Sequence, residues 1–411
     1  MKNLALVTAT LLISTVGSFA QSQTCDCKSD LDFVVEKIKK MPSYKKQIKG
    51  EKKDAFDATY QKNSAKMQNP ISIEACYKML LEQMLFVNDS HASLQVTTDV
   101  LPEEVFMDDN KFSEFEASDV FINHPKTDRK IQELKAELSQ KHPEGLEGIY
   151  NYGENEKIGF YYADNKKDLI GVVLETNLKQ WEVGEIRCYA THTNANKYNL
   201  YYYKADTRTP AYLKSLSFEN GRLWSYKKVG NTNNFEFVIN QKELTSFKQL
   251  NDDTQYIYFK SFSNRKGKAL KQFFEDTKDK LTAKSIIVDL RSNSGGNSKY
   301  SDVFLKLLKN KNVYVLTNCF TGSNGEQFTL KLLKNKKAKH LGQTTFGVIA
   351  YGMNYGYNYN TPSGHFNISP TDMNFHEYIA YEGKGITPEI PLDFNRDWIA
   401  QTLDIIESDS K

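Results

Sequence analysis

The chain has 411 residues, of which 39% are hydrophobic, 12% aromatic and 26% charged. This length accommodates two or three domains of ordinary size, and 24 Phe with 24 Tyr exclude a disordered polymer. Lys and Arg total 54 against 51 Asp and Glu, so the formal net charge of +3 gives no reason to expect nucleic-acid binding through a basic surface.

The first residues of the chain have the pattern of an export signal. Lys2 supplies a positive charge, the stretch from Leu4 to Val16 is apolar and uncharged, and Ser18-Phe19-Ala20 fits the small-x-small rule for cleavage. The apolar run is shorter than a membrane-spanning helix requires. We therefore predict a signal peptide over residues 1–20. The mature protein is predicted to be exported, periplasmic or extracellular, without stable membrane insertion.

The chain contains five cysteines, an odd number that leaves at least one thiol unpaired in an exported protein. Cys25 and Cys27 are too close for an easy mutual bridge, so either could pair with Cys76. No finger-like spacing of ligands indicates a zinc site, and we expect no metal. Cys319 ends an apolar strand, which favours a buried small side chain over a nucleophile. Cys188 is the remaining cysteine.

Residues 21–144 are predicted to form a helical N-terminal region. Two stretches carry apolar residues at helical spacing, and Met41-Pro42 ends the first of them. The two stripes are Leu31, Val34, Val35 and Ile38, and then Ile73, Cys76, Tyr77, Leu80, Leu81 and Met84. A shorter helix is predicted after Asp128, which is a candidate N-cap.

Residues 145–250 are predicted to form a β-rich module of short antiparallel strands. Thirteen of the 24 tyrosines lie between Tyr150 and Tyr258, in strand-like runs separated by turn signals such as Glu219-Asn220-Gly221. The tyrosines could form a binding face for peptide or glycan. Packing of amphipathic strands explains them more simply, and we favour it.

Residues 251–411 are predicted to form an α/β core. Apolar strands alternate with helical faces from Tyr256 onward, which indicates right-handed crossovers and a mainly parallel sheet. In such a sheet, sites form just beyond the carboxyl ends of the strands. The strand from Ser285 to Leu290 is followed by Gly295-Gly296, whose backbone N–H groups could turn toward an anion. Taken alone, this pattern is better explained by a plain turn.

Ser323 lies where the next strand turns into a helix. A nucleophile at this position gains from the helix N-terminus, which favours developing negative charge. Ser323 and Glu326 also fit a capping box, and taken alone the cap is the better interpretation.

Three stretches considered together favour catalysis. They are Asp289-Leu290-Arg291-x-Asn293-x-Gly295-Gly296, Thr321-Gly322-Ser323-x-x-Glu326, and Gly342-Gln343-Thr344-Thr345-Phe346-Gly347 followed by Gly385-Ile386-x-Pro388-Glu389-Ile390. In this order and with these gaps, the chain resembles the C-terminal processing (tail-specific) serine peptidases over residues 255–400. The resemblance implies an α/β core of the ClpP/crotonase type, a mixed sheet with helices. The helical N-terminal region precedes this core, and the β-rich module is inserted.

The resemblance also implies a nucleophile and a base. Ser323 matches the family's nucleophile. The Ser–Lys branch has a lysine directly after Thr-Phe-Gly, where this chain has Val348. Ser90-His91 resembles the Asp-x-His stretch of the tricorn-core-like branch, and Glu382 matches its glutamate. The chain is therefore nearer this Ser-His-Glu branch.

In this interpretation a histidine is the general base, in place of the lysine of the Ser–Lys branch. His91 is a suitable general base because its unperturbed pKa is about 6.5. Ser90 or Glu382 would orient the imidazole or support the second half of the site. His365 and His376 lie near Glu382 in sequence and remain reserve candidates for the base.

The oxyanion and the substrate complete the expected site. Gly295 or Gly296, together with the N–H of Asn324, are the candidates for the oxyanion hole. Family members often insert a PDZ domain, but no Gly-Leu-Gly-Phe-like loop occurs between residues 145 and 250. A peptide or protein substrate held along a sheet edge is therefore expected, without a cofactor. The sequence leaves the oligomeric state open.

Three functions are compatible with the sequence. The first is an exported serine endopeptidase that acts through an acyl-enzyme on Ser323 with His91 as general base. The second is a catalytically inactive binding protein on the same fold, resembling the retinoid-binding modules of the eye, and Val348 and the large β-rich module favour it. The third is a non-peptidase hydrolase or lyase for small esters, which rests on generic Ser–His chemistry alone.

Overall fold

The computed structural model describes residues 24–238 and 242–411, and the predicted signal peptide over residues 1–20 lies outside them. A helical N-terminal region, a closed β-barrel and an α/β core follow one another along the chain. This arrangement confirms the predicted fold class. None of the described helices is both long enough and apolar enough to cross a membrane.

The N-terminal region packs its helices around the apolar stripes predicted from the sequence. Pro42 is the first residue of the second helix, so the first ends there, and the Ser72 hydroxyl caps the fourth by accepting the Ala75 N–H. The elements are β1 (Thr24–Cys25), α1 (Cys27–Lys40), α2 (Pro42–Gln47), α3 (Glu51–Lys66), β2 (Ile71–Ser72), α4 (Ile73–Met84), β3 (Ser93–Val96), α5 (Glu103–Phe106), α6 (Asp109–Glu116), α7 (Asp119–Ile122) and α8 (Ile131–Ser139).

A disulfide joins the first and fourth helices of this region. Of the two pairings that the sequence leaves open, the structure has Cys27 bonded to Cys76. Cys25, Cys188 and Cys319 are free and buried. Burial raises the pKa of the Cys319 thiol to about 12, which suits a packing role and not that of a nucleophile.

The β-rich module is a closed barrel in which every strand pairs antiparallel with its neighbours. Its strands are β4 (Gly148–Tyr152), β5 (Glu156–Tyr162), β6 (Leu169–Thr176), β7 (Ile186–Asn194), β8 (Lys197–Tyr203), β9 (Pro210–Glu219), β10 (Arg222–Leu223) and β11 (Tyr226–Lys228). Tyr150 and Tyr226 are buried in the barrel interior, as packing of amphipathic strands requires.

The α/β core is built on a six-stranded sheet in the order β12-β13-β14-β15-β16-β21, parallel except for β12. Its strands β13 and β14 are buried throughout, as expected when helices cover both faces. The core elements are β12 (Thr245–Asn251), β13 (Thr254–Phe259), α9 (Gly267–Thr277), β14 (Ser285–Asp289), α10 (Val303–Leu308), β15 (Asn312–Thr317), α11 (Asn324–Leu332), β16 (Ala338–Gly342), β17 (Tyr351–Gly352), β18 (Tyr359–Asn360), β19 (Phe366–Ser369), β20 (Met373–Asn374), β21 (Ile390–Pro391) and α12 (Trp398–Ser410).

Two details of the sheets differ from a simple division at residue 250. Strand β12 falls within the range 145–250, yet it pairs with β13 in the core sheet. Strand β3 of the N-terminal region pairs with β19 of the core in a small three-stranded sheet. This pairing holds the segment just before β3, residues 88–92, against the core.

Candidate active site

Ser323 occupies a strained position between the strand β15 and the helix α11. Its φ is +53°, a left-handed conformation that is rare for residues other than glycine. The Ser323 N–H donates to the Val348 carbonyl oxygen at 2.8 Å and to the Glu326 carboxylate at 3.1 Å. These bonds fix the backbone of the serine at the start of the helix.

The imidazole of His91 lies directly beside this serine. His91 Nε2 is 3.2 Å from Ser323 Oγ, although the two residues are 232 positions apart in sequence. Burial lowers the pKa of His91, while Asp89 raises it and Lys214 lowers it further. The other ring nitrogen, Nδ1, is buried and has no partner within residues 24–238 and 242–411. A neutral imidazole here can accept the proton of the serine hydroxyl.

The Glu382 side chain binds a backbone N–H of the segment that contains His91, residues 88–92. One carboxylate oxygen accepts the Ser90 N–H at 2.7 Å, and the other accepts the N–H groups of Ile349 and Ala350 at 2.9 and 2.7 Å. Burial raises the pKa of Glu382, and the three backbone donors oppose that rise. Ser90 therefore meets Glu382 through its amide, and the carboxylate ties the segment 88–92 to the loop that follows Val348.

A second buried carboxylate, that of Glu326, organises the loop from Thr345 to Val348. It accepts the Thr345 hydroxyl and the N–H groups of Gly347 and Val348, in addition to the Ser323 N–H. Burial raises the pKa of Glu326 to about 7 despite these donors. The capping interaction expected between Ser323 and Glu326 is thus compatible with the contact between Ser323 and His91.

Gly295, the first of the two glycines after β14, lies against the serine. A Cβ on Gly295 would lie 2.5 Å from the Ser323 Cβ and 2.8 Å from the Asn324 nitrogen, so only glycine fits. The Gly295 N–H donates to the Asn293 side-chain oxygen at 2.8 Å. Among the described residues, the N–H groups of Gly296 and Asn324 have no acceptor. These two remain available to an oxyanion.

Two lysines of the barrel reach the same site, and no sequence motif marks either of them. Lys214 Nζ donates to the carbonyl oxygens of Asp89 at 2.7 Å and Ala92 at 3.1 Å. Lys197 Nζ donates to the Thr345 carbonyl oxygen at 2.8 Å. The hydrogen bonds of both lysines join the barrel to residues of the site, so only the tertiary structure could reveal them.

Neither reserve histidine forms a hydrogen bond with Ser323 Oγ among the described residues. His365 Nδ1 lies 2.7 Å from the Thr98 hydroxyl, and His376 begins a 3₁₀ helix over His376–Tyr381. Among the described histidines, His91 is the one within hydrogen-bond distance of Ser323 Oγ.

Comparison with known proteins relates part of the chain to a known family. Residues 253–311 and 299–392 match the model of Peptidase family S41. No curated protein matches the sequence of this chain. The matched residues include Ser323, Glu382 and the glycines that follow β14.

Solved structures resemble the chain along most of its length but at low identity. Mature CPAF is 10% identical, with 93% of this chain and 96% of that chain covered and a TM-score of 0.44. The photosystem II D1 C-terminal processing protease is 12% identical, with 90% and 94% covered and a TM-score of 0.38. A lipoprotein from Streptococcus agalactiae is 9% identical, with 99% of both chains covered and a TM-score of 0.39. These values are too low to transfer residue roles.

The family match confirms the resemblance to C-terminal processing serine peptidases at the level of the family. The match lies within the α/β core, over residues 253–392, and it identifies the chain as a serine-type peptidase.

Proposed function

We propose that the protein is an exported serine endopeptidase of the Ser-His-Glu type that cleaves peptide or protein substrates through an acyl-enzyme on Ser323. The observation that carries this proposal is the 3.2 Å separation of His91 Nε2 and Ser323 Oγ. A serine hydroxyl is a weak nucleophile at neutral pH and needs a base within hydrogen-bond reach. The buried imidazole meets that need, because burial favours its neutral form.

The reaction would follow the usual course of acyl transfer. Ser323 Oγ attacks the carbonyl carbon of the scissile peptide while its proton passes to His91 Nε2. The oxyanion that forms is stabilised by the N–H group of Asn324, the first residue of α11, and by the N–H group of Gly296, in the loop after β14. His91 then gives the proton to the leaving amine, and a water activated by the same imidazole hydrolyses the ester.

Glu382 and Ser90 support the base in this proposal. The Glu382 carboxylate accepts the Ser90 N–H and so fixes the residue before His91. Glu326 does the same for the nucleophile through the Ser323 N–H. Val348 stands where the Ser–Lys branch has its lysine. It is buried, and its N–H donates a hydrogen bond to the Glu326 carboxylate. This supports the histidine branch for this chain.

Export is supported by the cysteines as well as by the N-terminal pattern. The Cys27–Cys76 disulfide is typical of proteins in an oxidising compartment such as the periplasm or the extracellular space.

One observation favours the second candidate, a catalytically inactive binding protein. In a full triad a carboxylate accepts the Nδ1–H of the imidazole and fixes its tautomer. His91 Nδ1 has no such partner among the described residues, and Glu382 contacts backbone N–H groups instead. A site that lacks this bond could hold a peptide without cleaving it.

Labelling with a serine-reactive fluorophosphonate separates the two candidates. We expect the mature protein to gain one adduct by intact mass, and Ser323→Ala and His91→Ala to lose it while remaining folded. His365→Ala is the matched control, because His365 lies on Thr98 and should leave labelling unchanged. A folded wild type without adduct would favour the binding protein. Hydrolysis of activated esters without any peptide cleavage would favour the third function, a small-ester hydrolase.

A further inference from the structure

The barrel contributes one ammonium group to the segment that carries the proposed base. Lys214, in the barrel strand β9, donates from Nζ to the carbonyl oxygens of Asp89 and Ala92, which stand on either side of Ser90 and His91. From this geometry we infer that Lys214 is a positioning residue, which fixes the backbone on both sides of His91 and so sets the distance from Nε2 to Ser323 Oγ. The inference rests on the proposed function.

The local structure of the barrel directs this side chain toward the site. Leu213 pairs with Leu200 and Leu216 with Tyr198, so Lys214 and Ser215 together stand opposite Asn199 in a β-bulge. Ser215 has a φ of +56°, and its N–H donates to the Asn199 side chain. Bulges of this kind re-aim a side chain and are frequent beside active sites.

The histidine itself offers no other means of setting its position. Its Nδ1 has no partner in the described part of the chain, so no hydrogen bond to the ring fixes the imidazole apart from the contact with Ser323. The backbone of the segment must therefore set the ring. Glu382 holds that backbone at the Ser90 N–H, and Lys214 holds it at the two flanking carbonyl groups.

The charge of the lysine gives a second, independent signature. The charged groups near His91 are Asp89, which raises its pKa, Lys214, which lowers it, and Glu382, held on the Ser90 N–H. Replacing Lys214 with a neutral residue removes the positive charge, so the pKa of His91 rises. Since the base must be neutral to act, the acid limb of the pH profile then moves to higher pH.

A matched control is available in the same barrel. Lys228 is buried. Burial lowers its pKa, as burial lowers that of Lys214, and its Nζ likewise donates to backbone carbonyl oxygens, those of His142, Gly145 and Glu147. Lys228 belongs to β11. It binds the segment of chain that leads into β4, and it makes no hydrogen bond to residues 88–92. Lys228→Met therefore reports the general cost of losing a buried lysine from this module.

The test measures the rate of fluorophosphonate labelling against pH for the full-length mature protein. We expect Lys214→Met to slow labelling about a hundredfold, the scale of a small misplacement of a catalytic group. Its acid limb should move to higher pH. Lys214→Arg keeps the cation and should keep the acid limb of the wild type. Lys228→Met should match the wild type in both rate and profile.

Each other outcome has a distinct meaning. If the wild type is not labelled, the proposed function fails. If the wild type is labelled and Lys214→Met shows the same rate and acid limb, the inference is wrong and the proposed function stands. An equal loss in Lys214→Met and Lys228→Met would also overturn it. Lys214→Gln repeats the test if Lys214→Met does not fold. Failure of both neutral variants to fold would overturn the inference, because Lys214 would then serve folding.

Discussion

The α/β core and the part of the chain before it contribute to the site in different ways. The core carries the proposed nucleophile, both buried carboxylates and the glycines, and its residues 253–392 match a family model. The N-terminal region and the barrel, residues 24–228, lie outside that match, yet they place His91 and Lys214 beside Ser323. The proposed nucleophile thus lies in the part of the chain that matches the family model. His91 and Lys214, which complete the candidate site, come from parts that do not match it.

The largest test of this comparison concerns the proposed base. His91→Ala should slow fluorophosphonate labelling by about 10²- to 10⁴-fold, the usual contribution of general-base catalysis. His365→Ala, measured alongside, should not change the rate. A wild-type rate in His91→Ala would mean that the core performs the chemistry alone, with the N-terminal region serving only as scaffold.

The next test concerns the support inside the core. Glu326→Gln should lower the free energy of unfolding by about 3 to 5 kcal/mol, since an amide nitrogen would face donors that now meet a carboxylate. Urea unfolding measures this, with the exposed Glu389→Gln as control. A loss no larger than that of the control would show that the loop from Thr345 to Val348 does not depend on this carboxylate.

A similar measurement tests how much the disulfide stabilises the N-terminal region. Cys76→Ser should lower the free energy of unfolding by about 2 to 4 kcal/mol. Cys27→Ser should cost less, because the Sγ atoms of Cys25, Cys27 and Cys76 lie within 4.8 Å of one another and Cys25 can form the bridge instead. Urea unfolding and peptide mapping without reduction check both variants.

Two results would contradict this expectation. The first is equal destabilisation by Cys27→Ser and Cys76→Ser, with no Cys25–Cys76 bridge in the map. The second is a loss in Cys188→Ser as large as that in Cys76→Ser, since Cys188 is a free buried thiol.

The smallest effect is on pH dependence. Burial lowers the pKa of His91, so the imidazole stays neutral on acidification until the pH falls below the ordinary histidine value of about 6.5. Labelling of the wild type should therefore fall off with a midpoint below that value. A midpoint at or above it would mean that the imidazole is more exposed to water than its surroundings indicate.

Local patterns were enough to predict most of the elements of the fold. The stripe ending at Met41-Pro42 and the alternation of strands and helices after Tyr256 depend on residues close in sequence, and both correspond to observed elements. Most of strand β12 lies inside the range predicted for the β-rich module, but the strand pairs with β13 in the core. Pairing partners are a property of the tertiary structure, and the residues of a short polar strand do not reveal them.

Some residues of the candidate site could also be predicted from local motifs, and others could not. Ser323, Glu382 and the glycines stand in motifs, so the resemblance alone was enough to select them, and His91 was selected from a shorter stretch. Lys214 could not be selected, because its bonds run to backbone oxygens, which are the same in every residue type. The choice between Cys25 and Cys27 as the partner of Cys76 was also open, since residues two apart have nearly equal reach.

The separation of 232 residues between His91 and Ser323 has a consequence for the making of the protein. The ribosome completes the histidine segment long before the serine, and it makes Glu382, which ties Ser90 to Ile349 and Ala350, later still. A chain that ends before residue 382 therefore lacks the carboxylate that joins the two segments, and one that ends before residue 323 also lacks the proposed nucleophile. We therefore expect a chain that has not reached residue 382 to lack the proposed activity.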